Sequence, residues 1–340
     1  MSRNIQSSFN FDLIENVMTQ KINHGNNSKN SLTVGGLFAG IGGIELGFKK
    51  AGFDISWANE IDKNAAITYR KNHKHKLFEK DLKDLKSNEV EKIDILTGGF
   101  PCQAFSVAGY RKGFEDDRGN VFFEILRFVD DIEPKVIFLE NVKNLQGHDK
   151  GRTFKIILEE LQKRGYHISY KVLNSAEYAN IPQNRERIYI VGFKDKTAYD
   201  KFDFPKAKKL TKKIEDLIED EAEDKFYYNG SKYYPQLKEE MKNSDTVYQW
   251  RRKYVRENKS KLCPTLTANM GTGGHNVPLI IDKKDIRKLT PRECARFQGY
   301  DDSFILSDSM ASSHLYKQIG NSVTVPVIEA IAKEIKRAIF

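Results

Sequence analysis

The stretch "LTVGGLFAGIGGIELGFKKAG", residues 32–52, decides the fold. Its first third reads as a short strand. A glycine cluster then breaks the run, and Ile44, Leu46 and Phe48 continue it as a helix. A glycine turn between strand and helix lets a ligand approach the backbone closely, which makes Gly40, Gly42 and Gly43 candidate contacts. The spacing departs from the G-x-G-x-x-G of dinucleotide sites, so a nicotinamide reading is disfavoured.

Outward from this unit the pattern alternates. "FDISWANE" (53–60) reads as a second strand and "KNAAITYRKNH" (63–73) as a second helix, and "LFEKDLKDL" (77–85) and "KIDILTGGF" (92–100) carry the next strands. "NVFFEILRFVDDI" and "TFKIILEELQKRG" read as helices around the strand "PKVIFLENV", with "HISYKVLNSAEY" and "RERIYIVGF" as further strands. Strands alternating with helices predict an α/β, Rossmann-like fold: a mostly parallel sheet with helices on both faces. The composition shifts after Phe204-Pro205 toward Lys, Glu and Asp, with Tyr227-Tyr228 and Tyr233-Tyr234 as aromatic pairs. We therefore expect a flexible extension over 1–31, a catalytic and cofactor-binding domain over 32–205, a smaller recognition domain over 206–305, and a return to the first domain over 306–340.

The 340 residues carry a formal net charge of +9, with 39% hydrophobic and 30% charged residues. That composition is globular, and the basic excess favours a polyanionic partner such as nucleic acid. Cys102, Cys263 and Cys294 lie far apart without a C-x-x-C pair. This pattern speaks against a structural zinc site or a disulfide framework and fits a reducing cytoplasm. The N-terminus lacks the apolar core of a secretory signal, and no run reaches membrane-spanning length.

The segment "TGGFPCQAFSVAG", 97–109, ends an apolar strand in glycines and then stiffens at Pro101. Cys102 follows directly, placed like a nucleophile; the alternative is a small buried hydrophobe in a turn. Glu60, in "WANEID" at the end of the second strand, is suited to ribose hydroxyls, and Asp81, read as ending the next strand, to an adenine amino group. Glu140 in "FLENVKNL" ends another apolar strand and suggests a carboxyl group acting on substrate, while Asn141 reads equally as a cap or turn residue. Arg185 and Arg187 in "IPQNRERIYIVGF" lie on the same side of an extended segment. Their alternative is a pair of surface ion-pair arginines. "SVAGYRKGFEDDRGNVFF" has the character of a lid, with Arg111, Lys112 and Arg118 as phosphate contacts or as solvated surface.

The ordered blocks "FAGIGG", "ANEID", "GGFPCQAFS", "ENVKN", "QNRERIY", "RECARFQGY" and "QIGNSV" resemble the bacterial-type DNA (cytosine-5-)-methyltransferase family, and they span Leu37 to Val323. The resemblance implies an S-adenosylmethionine-dependent methyltransferase fold with a target-recognition domain. The implied reaction attacks C6 of a flipped-out cytosine with Cys102 and transfers a methyl group from S-adenosyl-L-methionine to C5, leaving S-adenosyl-L-homocysteine, with no metal. It also implies Glu140 at the N3 edge, Arg187 at the cytosine O2, and Arg185 supporting the pocket. Phe38, Glu60, Ile61, Asp81, Pro101 and Asn321 would surround the cofactor. Ile61 stands where the family often carries an aromatic side chain over the adenine, and Trp57 does not simply replace it. The expected partner is double-stranded DNA, read by a stretch containing Arg251, Arg252, Arg256, Lys259, the Thr265-Leu266 pair and the Gly273-Gly274 loop beside His275. A monomer in the bacterial cytoplasm, with a cognate restriction endonuclease acting on the same site, completes the expectation. Two rivals stay open: a transfer-RNA cytosine-5 methyltransferase of related fold, and a catalytically silent DNA-binding homologue.

Overall fold

Strands form where the apolar runs predict them. The computed structural model describes residues 31–100, 121–251, 253–272 and 276–340. In it, the opening stretch gives β1 (Thr33–Leu37), the glycine turn and helix α1 (Gly43–Lys50). The chain continues through β2 (Asp54–Asn59), α2 (Lys63–Asn72), β3 (Lys76–Phe78) and β4 (Ile95–Gly99). Next come α3 (Val121–Ile132), β5 (Val136–Val142), α4 (Arg152–Lys163), β6 (His167–Asn174), α5 (Ser175–Tyr178), β7 (Gln183–Asn184), β8 (Glu186–Phe193) and α6 (Lys196–Lys201). The extension read over 1–31 lies, except for Ser31, outside the described residues.

Seven strands form one sheet in the order β3-β2-β1-β4-β5-β8-β6. The pairs β3–β2, β2–β1, β1–β4 and β4–β5 are parallel, and β8 runs antiparallel to both of its neighbours. Strand alternation sorts the side chains of β5 to two faces. Ile137 and Leu139 join α3 and α4 in one apolar layer, while Val136 and Phe138 join α1, α6 and the C-terminal helix in the other. The order reverses between β1 and β4, and ligands of open α/β sheets bind at the carboxyl ends of strands at such a point.

The second half begins with α7 (Tyr234–Glu240), β9 (Tyr248–Trp250), β10 (Val255–Glu257), β11 (Cys263–Pro264), β12 (Val277–Ile281) and β13 (Ile286–Lys288). Strands β10-β9-β12-β13 make an antiparallel sheet. Its inner face packs Tyr248, Trp250, Val277, Leu279 and Ile286 on Leu237 and Met241. β11 pairs in parallel with β7, which bonds residues 263–264 to 183–184. Helices α8 (Pro291–Phe297), α9 (Ser312–Asn321) and α10 (Val325–Ile339) close the chain. α10 returns to α1 at Gly47, where an added Cβ would lie 2.6 Å from Ile328. Any larger residue there would force the two helices apart. Among the described residues no helix is long and apolar enough to cross a membrane.

Candidate active site and nucleic-acid interface

The glycine turn is built by left-handed backbone. Phe38 has φ 56° and Gly40 φ 58°, and a Cβ added at Gly40 would meet nothing within 4 Å among the described residues. Glu60, just beyond β2, fixes this turn. Its Oε2 accepts from the Gly40 N–H at 2.6 Å and its Oε1 from the Asp62 N–H at 2.7 Å. A carboxylate offers about four acceptor positions, so Glu60 can still accept from a ligand. Burial raises the pKa of Glu60, against the pull of the backbone donors of Asp62 and Gly40. Asp62 caps α2 through Asn64 and Ala65 and pairs with Lys317 of α9 at 2.7 Å. The turn, α2 and α9 are thereby tied together.

Further along the sheet, Glu140 of β5 and Arg187 of β8 meet diagonally across the ladder, where Glu140 is paired with Tyr189 and Arg187 with Val142. Arg187 Nε lies 3.2 Å from Glu140 Oε1, with both side chains mostly buried. Burial raises the pKa of Glu140, opposed by Arg187 and then Arg185. Burial thus outweighs the two guanidinium groups. Arg185 is 2% exposed. It donates to the carbonyls of Leu266 at 2.9 Å, Gly320 at 3.3 Å and Ser322, while its Nε has no partner among the described residues. Burial, then Arg187, lowers its pKa to about 9. It acts as a rivet between three segments of chain, and removing it would orphan those carbonyls at a cost of about 1–3 kcal/mol each.

A cavity of about 380 Å³ brings these groups together. Phe38, Gly40, Glu60, Ile61 and Asn321 line it alongside Glu140, Arg185 and Arg187. It sits where β1 and β4 end, with Gly99 and Phe100 in its wall. Ile61 is 58% exposed, and Trp57 is buried elsewhere, its indole N–H donated to the Glu91 carbonyl. Gly42 and Gly43 are not among the lining residues: Gly42 caps α1, and Gly43 packs on Tyr300 and Ser322. Asp81 does not end a strand. β3 stops at Phe78, and Asp81 lies exposed in the following turn, accepting from the Lys83 N–H, outside the cavity lining. Pro101, Cys102, Arg111, Lys112 and Arg118 lie outside the described residues.

The profile of C-5 cytosine-specific DNA methylases matches residues 32–337. The chain belongs to this family. It is 58% identical over 315 residues to the type II methyltransferase M.Bsp6I of Bacillus sp. (strain RFL6), a match covering 91% of this chain and 100% of that protein. It is 40% identical over 307 residues to the type II methyltransferase M.NlaX of Neisseria lactamica, covering 89% and 96%. The solved structure of the Entamoeba histolytica methyltransferase EhMeth superposes with a TM-score of 0.72 at 18% identity, covering 92% of this chain and 100% of that one. The fold is therefore that of the family's methyltransferases, and the chain is a DNA cytosine-5-methyltransferase.

The methylase has a second, polar groove of about 670 Å³ between the small sheet and the β7–β11 bridge. Arg251, Arg256, Lys259 and Thr265 line it, with Asn184, Gln249 and Asn276. Arg251 donates to the Asn276 side chain, and Thr265 to the Asn184 carbonyl at 2.7 Å. Leu266 is buried beneath, its carbonyl held by Arg185. Arg252, Gly273, Gly274 and His275 lie outside the described residues. Cys263 and Cys294 are fully buried, and burial pushes both thiols well up.

Two site residues had no firm reading in the sequence. Asn141 donates to the Phe100 carbonyl at 2.8 Å and so anchors the chain one residue before Pro101. Lys317 reaches the cavity from α9 and pairs with Asp62. Asn141 was visible as the neighbour of Glu140 in "ENVKN", but nothing local to Lys317 marks it.

Proposed function

We propose that this methylase acts on one cytosine within a specific duplex sequence, as the modification half of a restriction–modification pair. The observation that carries this reading is the convergence of the Glu140–Arg187 pair with the Gly40–Glu60 turn in one cavity at the sheet's switch point. The base must leave the helix to reach such a site. Cys102 supplies the thiolate, which bonds to C6 while the ring electrons move toward N3, where the Glu140 carboxyl delivers a proton. Arg187 holds the O2 edge and keeps Glu140 aligned. C5 has become an enamine carbon and takes the methyl group. Loss of the C5 proton then expels the sulfur and restores the ring.

The residues present fit S-adenosylmethionine: open space at Gly40 among the described residues, remaining acceptor capacity on Glu60, and a cavity of about 380 Å³, within the usual range for ligand pockets. Bound there, S-adenosylmethionine supplies the methyl group. Glu60 would hold the ribose hydroxyls, and Phe38 and Ile61 would flank the base.

The test is bisulfite sequencing of plasmid DNA co-expressed with the chain. Protected cytosines at one recurrent sequence are expected, with none for Cys102→Ser. Purified wild type should be trapped covalently on 5-fluorocytosine duplex and Cys102→Ser should not. Unmodified plasmid beside methylated transfer RNA would overturn the DNA reading, and an adduct at another residue would remove Cys102 from its role.

A further inference from the structure

Gln249 occupies an unusual position. On β9 its neighbours Tyr248 and Trp250 point into the small apolar core, so the alternation of the strand turns Gln249 and Arg251 to the opposite face, onto the 670 Å³ groove. Gln249 is only 6% exposed, and its side-chain amide has no hydrogen-bond partner among the described residues. Its amide atoms are not sealed off but open on the groove, where a ligand can complete them. Arg256 lies directly opposite on β10, exposed on the same ribbon face. Arg251 is steadied by Asn276, and the nearby carboxylate of Glu257 is held by Asn243 at 2.7 Å.

We propose that Gln249 reads one base edge of the target sequence, donating its Nε2–H to the N7 acceptor of a purine in the major groove. This rests on the DNA-methyltransferase reading above. Gln249 and Arg256 stand side by side at one edge of the four-stranded sheet's open face, and N7 is the acceptor that adenine and guanine share on the major-groove edge. The amide oxygen then distinguishes the two, accepting from adenine N6 and finding no donor on guanine O6. Arg256 and Lys259, exposed at the rim, meet phosphates rather than bases.

Selection of binding sites from a randomised duplex pool tests this, using the full chain as wild type, Gln249→Ala and Gln249→Glu. Each variant is first shown to bind S-adenosylhomocysteine as wild type does, which establishes that it is folded. Gln249→Ala should lose discrimination at one position by about tenfold or more and keep its preferences elsewhere. Gln249→Glu, which puts an acceptor against N7, should turn against purines at that same position. Which purine wild type prefers there identifies the base read. Unchanged base preferences in both variants would overturn the proposal, as would loss of all sequence preference. A wild type that selects no sequence and methylates no plasmid cytosine is a different result, because then the DNA-methyltransferase reading itself fails.

Discussion

The cavity and the groove solve opposite problems with similar side chains. In the cavity, Glu60, Glu140, Arg185 and Arg187 each bond to another part of the chain. In the groove, Gln249 and Arg256 have no side-chain partner among the described residues. Reaction chemistry gains from groups fixed before the substrate arrives, since no reorganisation is then needed at the transition state. Sequence reading gains from the reverse. A donor or acceptor completed only by the right base leaves a wrong base facing an unpaired polar group. The bonded cavity groups and the two unbonded groove side chains, Gln249 and Arg256, match what the proposed reaction and the proposed base reading each require.

Removing the proton from the cavity would break the comparison most sharply. Glu140→Gln keeps the shape of the side chain but cannot pass a proton to N3. We expect the methylation rate under single-turnover conditions to fall roughly 10²–10⁴-fold. Affinity for S-adenosylhomocysteine and the sequence selected from a random pool should stay as in wild type. A loss of less than tenfold would mean that alignment by Arg187, not proton delivery, is what this corner provides.

A smaller effect probes how far the cavity's fixed wall extends behind the glycine turn. Glu45, in the first turn of α1, is 1% exposed, and its Oε2 has no partner among the described residues. Burial raises its pKa from 4.5 to about 8. The folded chain therefore holds this proton more tightly than the unfolded chain. The resulting stability is full below pH 4.5, declines as pH rises, and is lost through about pH 8. His73 and His75, lowered to about 4 by burial, act in the opposite direction, their contribution being lost as pH falls from 6.5 toward 4. Above pH 6.5 Glu45 is thus the clearer of the two signals. Denaturant unfolding of Glu45→Gln and wild type should diverge in the variant's favour by roughly 2 kcal/mol between pH 6.5 and pH 8. A constant difference across that range would show that the carboxyl group is not the source. Recognition in the groove should not follow this pH dependence.

The same contrast governs what was legible in the sequence. Strand ends were readable because apolar runs such as "VIFLENV" stop abruptly, and in a parallel sheet those ends share one edge. Glu60 and the glycine turn were therefore grouped from one-dimensional pattern, and Glu140 was read as a strand-end acid whose role came from the family resemblance. The end of β3 was misread at Asp81 because the strand is three residues long, too short for alternation to mark where it stops. The bonds of Arg185 to Leu266 and Gly320 cross 81 and 135 residues, and no local spacing encodes them. Gln249 was hidden for another reason. Between Tyr248 and Trp250 it reads as part of an aromatic stretch, and only the sheet shows that its face differs from theirs.

The smallest effect divides the groove itself. Arg256 and Gln249 lie opposite each other on one ribbon face, yet they should contribute in different ways. If Arg256 neutralises a phosphate, Arg256→Ala weakens binding to all duplexes alike and lowers the slope of log affinity against log salt by about 1. Its binding-site preferences should remain those of wild type. Gln249→Ala should do the reverse, changing preference at one position with the salt slope unchanged, because a neutral amide releases no counterion. Salt titrations on a selected duplex and on a scrambled one measure both quantities. If Arg256→Ala altered preference at one position instead, the guanidinium would be reading a base, most simply the N7 and O6 of a guanine. The division of the ribbon into a base-reading strand and a phosphate-holding strand would then be wrong.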